Sequence, residues 1–470
     1  MQLVAYGASD VYLTGDPKVT FFQSAYKRHT NFAMETVQQT VSGNAGPGGL
    51  VSVTMARSGD LIGDMFVVLQ PTPTAYSQLT STNVANDMCW VAERAFSSVE
   101  LFIGGQSIDK HYQLWFRLYA EVFLNETKKM NYGKLTSVAV PSQGTSIAYA
   151  YLPLIFFFNR NPGLYLPLIA LQYHEVRIDF TLSSQYANYF GTNPFAVWAN
   201  YVYLDTVERE KFAKTPHEYL IEQVQHINPD PVGYANENTP SVIRMQYNHP
   251  VKELIWCYQN SSIASNPNAL WNFSSSVANV NVTVNLNLVA QTAGTQVPNR
   301  TGAPVLFTPP AFSSSLYVTA ASNVTTGNTI SVQSNVLSGN VFWTEGGMPQ
   351  YGVTANNIYG QEVGPMHQAK LILNGTDRFV PQFGKYFNEY QPYQYHTGSP
   401  YPGIYVYSFA IKPEELQPSG TCNFSRIDMA QIAVNLKTGM PYQNMQQQMF
   451  AVNYNILRIQ SGLGGVAFAN

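Results

Sequence analysis

The stretch Gly403–Asp428 reads GIYVYSFAIKPEELQPSGTCNFSRID, and the fold prediction begins from its pattern. Its first part, Ile404–Ile411, is an apolar and aromatic run of strand length. Breakers of regular structure follow at Pro413, Pro418 and Gly420. A second strand is predicted after them, with apolar positions at Ile427, Met429, Ile432, Val434 and Leu436. A strand followed by a polar turn and a second strand is typical of a structural scaffold. The stretch places no nucleophile beside a base, so it gives no sign of a catalytic site.

Segments of the N-terminal half recur in the same order in the C-terminal half. Val242–Met245 corresponds to Val51–Met55, and Ala369–Gly375 corresponds to Val99–Gly105. Three further matches pair 403–436 with 163–182, Phe450–Tyr454 with Phe195–Tyr201, and a short helical stripe (Phe379, Phe383, Phe387, Tyr390) with a helix predicted over His111–Lys129. Because order and element type agree throughout, the chain is interpreted as doubled.

The fold class that follows is all-β. Many short strands, frequent turn signals and few helices predict two tandem eight-stranded jelly-roll β-sandwiches with short helices in loops, an architecture that protects strand edges. The predicted divisions are an N-terminal arm over 1–30, a first jelly roll over 31–215 and a second over 216–470. The second contains a polar loop insertion at about 260–350, in which apolar and polar residues alternate from Val280 to Leu288 as in a strand with one wet face.

Composition narrows the class of function. Charged residues make up 11% of the 470 residues, against about 25% in an average globular protein, and aromatic residues make up 13%. Such a surface suits a protein that is partly buried in an assembly. The net charge of −3 provides no basic field for nucleic acid. Cys89, Cys257 and Cys422 form no CxxC and are expected to be reduced and buried.

The N-terminal segment is expected to act as an arm. It lacks the features of a signal peptide, and no segment reaches the roughly 20 apolar residues of a membrane helix. Four residues, Phe21, Phe22, Ala25 and Tyr26, would share one face of a short helix before Lys27, Arg28 and His29. Such a face contacts a membrane surface, a partner subunit or, equally well, its own domain.

No enzyme motif survives inspection of its context. Gly462–Ala467 fits GxGxxA, but too little chain follows for a nucleotide-binding helix and strand. His174 and Glu175 are neighbours in a predicted strand and would point to opposite faces. Carboxylates in the strand regions look sparse and unpaired. The chain is therefore predicted to have no catalytic residue, metal site or cofactor. The alternative function is a jelly-roll carbohydrate-binding protein, because aromatic residues are abundant.

Eight Asn-x-Ser/Thr triplets occur in the chain. Candidate N-glycosylation sites lie in or beside the polar insertion, at Asn260, Asn272, Asn281, Asn299 and Asn323. The other three triplets begin at Asn125, Asn374 and Asn423. An Asn- and Thr-rich segment also produces such triplets by chance, and the absence of a secretory signal favours an unmodified chain.

Several longer motifs resemble the major capsid proteins of nucleocytoplasmic large DNA viruses, of the iridovirus, phycodnavirus and marseillevirus kind. They span the chain in family order: Gly7–Gly15, Tyr26–Phe32, Leu166–Val176, Leu373–Phe379, Tyr405–Phe409, Gln417–Asp428 and Leu457–Gly462 followed by Gly464-Gly465. The insertion at 260–350 lies outside the resemblance.

The resemblance implies a structural protein with a double jelly roll that forms a homotrimeric, pseudo-hexagonal capsomer of an icosahedral shell. It further implies neighbouring capsomers, minor capsid and penton proteins and a nearby inner viral membrane as partners, with no direct nucleic-acid contact. The chain would be made in the host cytoplasm and reside in the outer shell of the virion. In this reading Arg28 and His29 lie at the base, the 260–350 loop faces outward, and Pro418–Arg426 forms a tight corner in which Arg426 binds carbonyls or a carboxylate.

Overall fold

The computed structural model describes most of the chain outside the polar insertion. The described residues are 7–9, 22–27, 29–43, 46, 48–72, 90–138, 149–192, 194–227, 229–233, 240–260, 273, 280–285, 316–318, 329–334, 341–343, 349–351, 364–400, 403–437 and 444–468.

The first sandwich consists of two antiparallel sheets. Sheet A has the order β1 (Phe32–Gln39), β10 (Ala196–Leu204), β4 (Leu61–Leu69) and β7 (Ala150–Pro153), with β8 (Leu166–Pro167) also paired to β4. Sheet B has the order β2 (Val41–Gly43), β3 (Leu50–Thr54), β9 (Val176–Leu182), β5 (Phe96–Ile103) and β6 (Gln106–Tyr112).

The second sandwich repeats this arrangement. Sheet C has the order β11 (His217–His226), β26 (Asn444–Gln460), β14 (Pro250–Asn260) and β23 (Ile404–Ser408), and it also holds β12 (Asp230–Gly233), β24 (Cys422–Asn423) and β27 (Leu463–Val466). Sheet D has the order β13 (Ser241–Met245), β25 (Ala430–Leu436), β20 (Met366–Leu373) and β21 (Thr376–Asp377), with β22 (Gln382–Phe383) also on β20.

The two sandwiches share one topology. If the eight principal strands of each are counted in chain order, sheets A and C both read 1-8-3-6, and sheets B and D both read 2-7-4-5. This is the jelly-roll order, so the prediction of two tandem eight-stranded jelly rolls is confirmed. The fifth strand of the second sandwich is split into β21 and β22.

Alternation along the strands gives each sandwich its core. In β3, Val51 and Val53 are buried while Ser52 between them is half-buried, as expected for a sheet with one core face. Phe180 of β9 packs between Phe96 and Phe195, with ring centroids 5.0 and 5.4 Å away. One apolar cluster fills the second sandwich, whereas the cluster of the first continues into residues of sheet C.

Helices occupy the connections between strands. The α-helices are α1 (Gln113–Phe123), α2 (Glu126–Thr136), α3 (Phe157–Arg160), α4 (Tyr186–Phe190), α5 (Thr206–Lys214) and α6 (Gln391–Tyr395). Short 3₁₀ helices lie at Val91–Arg94, Pro162–Leu164 and Phe424–Arg426, and a π-helix at Tyr386–Tyr390 leads directly into α6. The predicted single helix over His111–Lys129 is therefore two helices. Leu124 is extended, and the Asn125 side chain caps α2 by accepting a hydrogen bond from the Lys128 amide at 2.9 Å.

Two local sequence predictions were wrong. Phe22–Lys27 contains no helix, and Phe22 and Tyr26 are exposed. The apolar run at Leu164–Leu171 contributes only the two-residue strand β8, because its prolines and turns interrupt sheet pairing. As a result β23 corresponds to β7, the sixth strand, and not to the run at Leu164 as the sequence comparison had matched it.

The insertion forms small sheets of its own in the part that is described. Strands β15 (Val280–Asn285), β16 (Leu316–Val318) and β17 (Thr329–Ser334) form one, and β18 (Val341–Trp343) pairs with β19 (Pro349–Tyr351). The predicted strand from Val280 is confirmed as far as Asn285, and Leu286 and Leu288 lie outside the described residues.

Replacing Phe180 by alanine is expected to lower the free energy of unfolding by about 3–5 kcal/mol, because it removes a fully buried ring and leaves a cavity. Urea denaturation of the purified chain measures this change. Phe32→Ala is the control, since its ring is 52% exposed, and it should change stability by less than about 0.5 kcal/mol. Equal effects of the two substitutions would contradict the assigned core.

Candidate functional site at the junction of the two sandwiches

The junction is the contact between the first sandwich and the outer face of sheet C, the face turned away from sheet D. The part of this outer face on β14, β23 and β26 is buried, whereas Val224 and His226 on β11 are half-buried. The buried residues are Ile255, Cys257, Ile404, Val406 and Phe450, which are 0% exposed, and Val452, which is 3% exposed. They belong to the same apolar cluster as the core of the first sandwich.

Aromatic residues at the end of β6 and along α1 cover this face. The Trp115 ring lies 5.5 Å from that of Phe450, and the Tyr112 ring lies 6.4 Å from it. Each fully buried large side chain contributes roughly 1.5–3 kcal/mol, so this apolar contact holds the two sandwiches together.

An ion cluster lies beside the apolar contact, with Glu222 and Lys252 buried and the Arg160 side chain 28% exposed. The Arg160 guanidinium donates to one oxygen of Glu222 at 2.8 Å, and the Lys252 ammonium donates to the other and to the Pro413 carbonyl. Burial alone would raise the pKa of the Glu222 carboxyl, but the two cations hold that pKa below its usual range. Arg160 belongs to the first sandwich, whereas Glu222 and Lys252 belong to the second. The cluster therefore links the two sandwiches.

A second buried cluster places His396 between two carboxylates. Its Nε2 lies 3.1 Å from Glu253 and its Nδ1 lies 3.5 Å from Glu414. Burial acts to lower the pKa of His396, but Glu253 and then Glu414 outweigh it and raise that pKa to about 9. The imidazole lies edge-on to the ring of Phe123, with centroids 5.6 Å apart, so this cluster also contacts the first sandwich.

A third cluster lies under α1 and α2. The Arg117 guanidinium is 3.5 Å from Glu93, 2.8 Å from Glu121 and 4.2 Å from the centre of the Trp90 ring. Lys129 pairs with Glu121 at 3.2 Å and donates to the carbonyl of Ser399, which belongs to the second sandwich, at 2.7 Å. Burial raises the pKa of Glu93 to about 7.

A groove of about 320 Å³ opens along the junction. Tyr119, Phe123 and Arg160 line it from the first sandwich, and Glu222 and Lys252 line it from the second. Tyr119 and Phe123 stack on each other, with centroids 4.9 Å apart. Because these rings are half-buried and the charges are paired with one another, the groove presents no open aromatic platform for a sugar.

The sequence prediction of sparse, unpaired carboxylates was wrong. Glu222 and Glu253 lie on strands of sheet C and both are in ion pairs. Their partners are far away in sequence, for example Arg160 and His396, and no local pattern relates them. The one available signal was the presence of charged residues inside otherwise apolar strands, such as Lys252-Glu253 in β14.

The hairpin formed by β26 and β27 in the second sandwich is hydrogen-bonded to Tyr173 and His174 of the first sandwich, and we call this contact the clasp. The Tyr173 amide donates to the carbonyl of Gly462 at 3.0 Å, and Nδ1 of His174 lies 2.8 Å from the carbonyl oxygen of Gly464. His174 is therefore held in a structural contact, but the predicted strand does not include it, because His174 and Glu175 precede β9, which begins at Val176. Glu175 beside it is exposed, and no contact between the two side chains occurs in the described structure.

The corner at Pro418–Arg426 is held by serine and asparagine. Asn423 accepts from the Ser425 amide at 3.1 Å, and the Ser425 hydroxyl accepts from the His249 amide at 2.7 Å. The predicted role of Arg426 was wrong: its side chain is exposed at the end of a 3₁₀ turn and contacts no carboxylate or carbonyl in the described part of the chain.

The predicted modification sites fall largely outside the described residues. Asn272, Asn299 and Asn323 lie there, whereas Asn260 ends β14 and Asn281 lies in β15. Of the remaining triplets, Asn374 accepts from the Met429 amide at 3.2 Å, and Asn125 and Asn423 accept from amides of their own turns. Glycosylation at any of them stays a prediction.

Other site predictions concern cysteines, metals and membranes. Cys257 is buried and Cys422 half-buried, both are free thiols, and Cys89 lies outside the described residues. Within the described ranges no group of three or more His, Cys, Asp or Glu side chains is arranged to hold a metal ion. None of the helices described above is long and apolar enough to cross a membrane. His29 is exposed, and Arg28 lies outside the described residues.

Comparison with known proteins gives consistent matches over the whole chain. The family model described as "Large eukaryotic DNA virus major capsid protein" matches residues 208–465, and the one described as "Major capsid protein N-terminus" matches residues 20–205. The chain is 39% identical over 504 residues to the major capsid protein of Paramecium bursaria Chlorella virus 1, covering 100% of this chain and 99% of that protein. It is 35% identical over 540 residues to the major capsid protein of Phaeocystis pouchetii virus, with the same coverage. Against a chain of a quasi-atomic model of the PBCV-1 virus capsid the TM-score is 0.68 at 36% identity, covering 96% of this chain and 100% of that one.

The His396 cluster predicts a loss of stability at alkaline pH. Because the pKa of His396 is raised from 6.5 to about 9 in the folded state, its contribution is complete below pH 6.5 and is lost as the pH rises through 9. The stability that Glu93 contributes to the fold also falls with rising pH, because its pKa is raised to about 7. That fall occurs at lower pH, between 4.5 and 7. Melting temperatures measured between about pH 7.5 and 8.5 therefore report on His396, because Cys257 and Cys422, whose pKa values burial raises above 9, lower stability only at higher pH.

His396→Gln should flatten the fall in melting temperature over that range, whereas His29→Gln, a change at an exposed histidine, should leave the slope as in the wild type. A His396→Gln chain that keeps the full slope would show that His396 is not the titrating group.

Because of the clasp, substitutions at two neighbouring turn glycines are expected to lower stability by different amounts. Gly104 and Gly105 have φ of 59° and 84°, and Asn374 occupies the position of Gly104 in the second sandwich with φ 51°. Asparagine therefore tolerates this backbone. At Gly104, however, a Cβ would lie 2.2 Å from the His174 ring, whereas at Gly105 nothing lies within 4 Å.

Gly104→Asn should thus lower the urea midpoint clearly, by displacing His174 from Gly464, while Gly105→Asn should lower it little. Equal midpoints for the two variants would mean that the clasp does not constrain the junction.

Proposed function

The chain belongs to the major capsid proteins of large eukaryotic DNA viruses, and on that basis we propose that it forms a homotrimeric, pseudo-hexagonal capsomer that tiles the outer icosahedral shell of a virion. The resemblance noted from the sequence motifs is thereby confirmed, and a structural role as a capsid protein follows from the family. The assembly state is the part that is proposed.

The observation that carries the proposal is the doubling of one topology within one chain. Two sandwiches of the same strand order, joined rigidly through a buried junction, give three chains six similar units around a threefold axis. Six similar units approximate a hexagon, the shape that tiles a flat facet. The structural likeness to a chain of the PBCV-1 virus capsid supports this geometry.

We assign the remaining parts of the chain by the same reading. The domain boundaries are an arm over 1–30, jelly rolls over 31–215 and 216–470, and an insertion at about 260–350 that faces outward from the shell. The arm, whose Phe22 and Tyr26 are 100% and 92% exposed, lies at the base toward the inner membrane. Neighbouring capsomers, minor capsid proteins and penton proteins are the partners.

The proposal places the chain in the virion after synthesis in the host cytoplasm and gives it no enzymatic role and no direct contact with nucleic acid. Its relatives are structural proteins, and its net charge of −3 offers nucleic acid no attraction. The alternative of a carbohydrate-binding jelly roll gains no support from the junction groove, where the aromatic rings pack against each other.

Light scattering on a sizing column tests the assembly state. We expect a single species of three times 52.2 kDa that persists on dilution, because interfaces of obligate oligomers commonly bury more than about 2,000 Å². Electron microscopy of the same fraction should then show hexagonal particles. A stable monomer of 52.2 kDa at all concentrations would contradict the capsomer, and binding of that monomer to a glycan array would favour the alternative.

A further inference from the structure

Each sandwich carries a row of aromatic residues directly after its fifth strand. In the first sandwich the row is Tyr112, Trp115, Tyr119 and Phe123, which we call the first stripe. In the second it is Phe383, Tyr386, Tyr390 and Tyr393, the second stripe. Both begin at the last residue of the fifth strand, and both continue at helical spacing, so they are equivalent elements of the repeated fold.

The first stripe is used inside the chain. Trp115 is 3% exposed and contacts Phe450, while Tyr112 lies 4.6 Å from the ring of His226 and Phe123 contacts His396. All three partners belong to the second sandwich. The first stripe is therefore the surface by which the first sandwich binds the outer face of sheet C in the second sandwich.

The second stripe lies on the surface of the chain. Phe383, Tyr390 and Tyr393 are 60%, 53% and 84% exposed, and Val380 beside them is 73% exposed. The helical turns that carry them are anchored from the other side, where Phe387 is 1% exposed and its ring lies 5.3 Å from that of Trp256. The stripe is thus held in a fixed position, and so large a set of exposed aromatic side chains marks an interaction surface.

The matching surface of the first sandwich is also open. Sheet A corresponds to sheet C, and the part of its outer face nearest β7 consists of Phe66, Val68, Tyr151, Ala196 and Trp198, whose neighbours across the sheet are one another. All are half-buried or exposed, with Tyr151 36% exposed. The equivalent face of sheet C is almost completely buried by the first stripe. The other end of sheet A's outer face is already covered, because Leu61 and Val202 pack there against Tyr165.

Charge does not oppose contact between these two surfaces. The charged residues within the second stripe, Lys385 and Glu389, lie 3.5 Å apart and pair with each other. On the outer face of sheet A, Trp198 and Phe66 lie between Gln38 and Tyr151, and all four side chains are uncharged. Both surfaces are therefore neutral and aromatic, as the core of a stable protein interface requires.

We propose that the second stripe of one copy docks on the exposed outer face of sheet A of a second copy, repeating between chains the contact that the first stripe makes with sheet C within the chain. The inference rests on the proposed capsomer and names its contact surfaces. The two surfaces differ and lie on different sandwiches, so the contact is head to tail. In the proposed trimer, contacts within and between chains would alternate and occupy all six stripes and all six outer faces.

Charged substitutions on each surface test the proposal. The stripe variant is Tyr390→Glu with Tyr393→Glu, and the face variant is Tyr151→Glu with Gln38→Glu, all at exposed positions. The control is Val207→Glu with Ile411→Glu, which are 76% and 72% exposed and lie outside both surfaces. Sedimentation velocity gives the assembly state, and circular dichroism with thermal melting checks that each variant is folded.

We expect the control to be trimeric and each surface variant to be a folded monomer, with association weakened at least about 30-fold at each contact. A mixture of the stripe and face variants should form dimers at high concentration and no trimers, because only one intact pair of surfaces remains and the ring cannot close.

Three other results would overturn the proposal. Trimers of either surface variant would show that other surfaces join the copies, while leaving the capsomer itself intact. Loss of trimers in the control as well would show that the two surfaces are not selectively required. A monomeric wild-type chain would contradict the proposed capsomer and, with it, this contact.

Discussion

The structure depends on the burial of sheet C on both faces. Its inner face packs against sheet D, and its outer face, with Phe450 and Val452 at its centre, would expose a large apolar surface if the second sandwich stood alone. The first sandwich covers that face with Tyr112, Trp115 and Phe123. Two jelly rolls that repeat one topology are thereby joined into one unit, and in the proposed trimer a further copy repeats the contact that joins them.

Buried charges give this apolar contact its register. Apolar surfaces attract without direction, whereas Arg160 reaches Glu222, and Lys129 reaches the carbonyl of Ser399, in one alignment only. Within this contact the fully buried pair is Lys252 with Glu222, and losing one partner of such a pair typically costs about 3–5 kcal/mol, because the other charge loses its compensation. The clasp adds two contacts between the sandwiches, one from the Tyr173 amide to the Gly462 carbonyl and one between Nδ1 of His174 and the Gly464 carbonyl. In the proposed capsomer this alignment matters, since any rotation between the two halves of a chain would distort the hexagonal outline.

The sequence predicted the architecture well and the junction poorly, for a physical reason. Periodicity and turn residues are local, so the strands around Val51, Leu61 and Phe450, their doubled order and the jelly-roll class followed from the residues. Local competition between signals caused the misses within elements, such as the helix that Asn125 divides and the run at Leu164 that prolines break. The ion clusters join residues that lie far apart, such as Glu253 and His396, and no spacing rule brings them together. The aromatic row at Phe383 was visible as a pattern, but only the structure shows which of its members face outward.

The arrangement of six sandwiches around a threefold axis is tested most directly by a three-dimensional cryo-EM reconstruction of the purified assembly. We expect a threefold ring of six sandwiches in which the helical segment Tyr386–Tyr395 lies against the outer face of sheet A of the adjacent chain. The contact should superpose on the one between α1 and sheet C within each chain. A ring in which Tyr393 faces solvent, or in which contacts between chains bear no relation to the junction, would contradict the account.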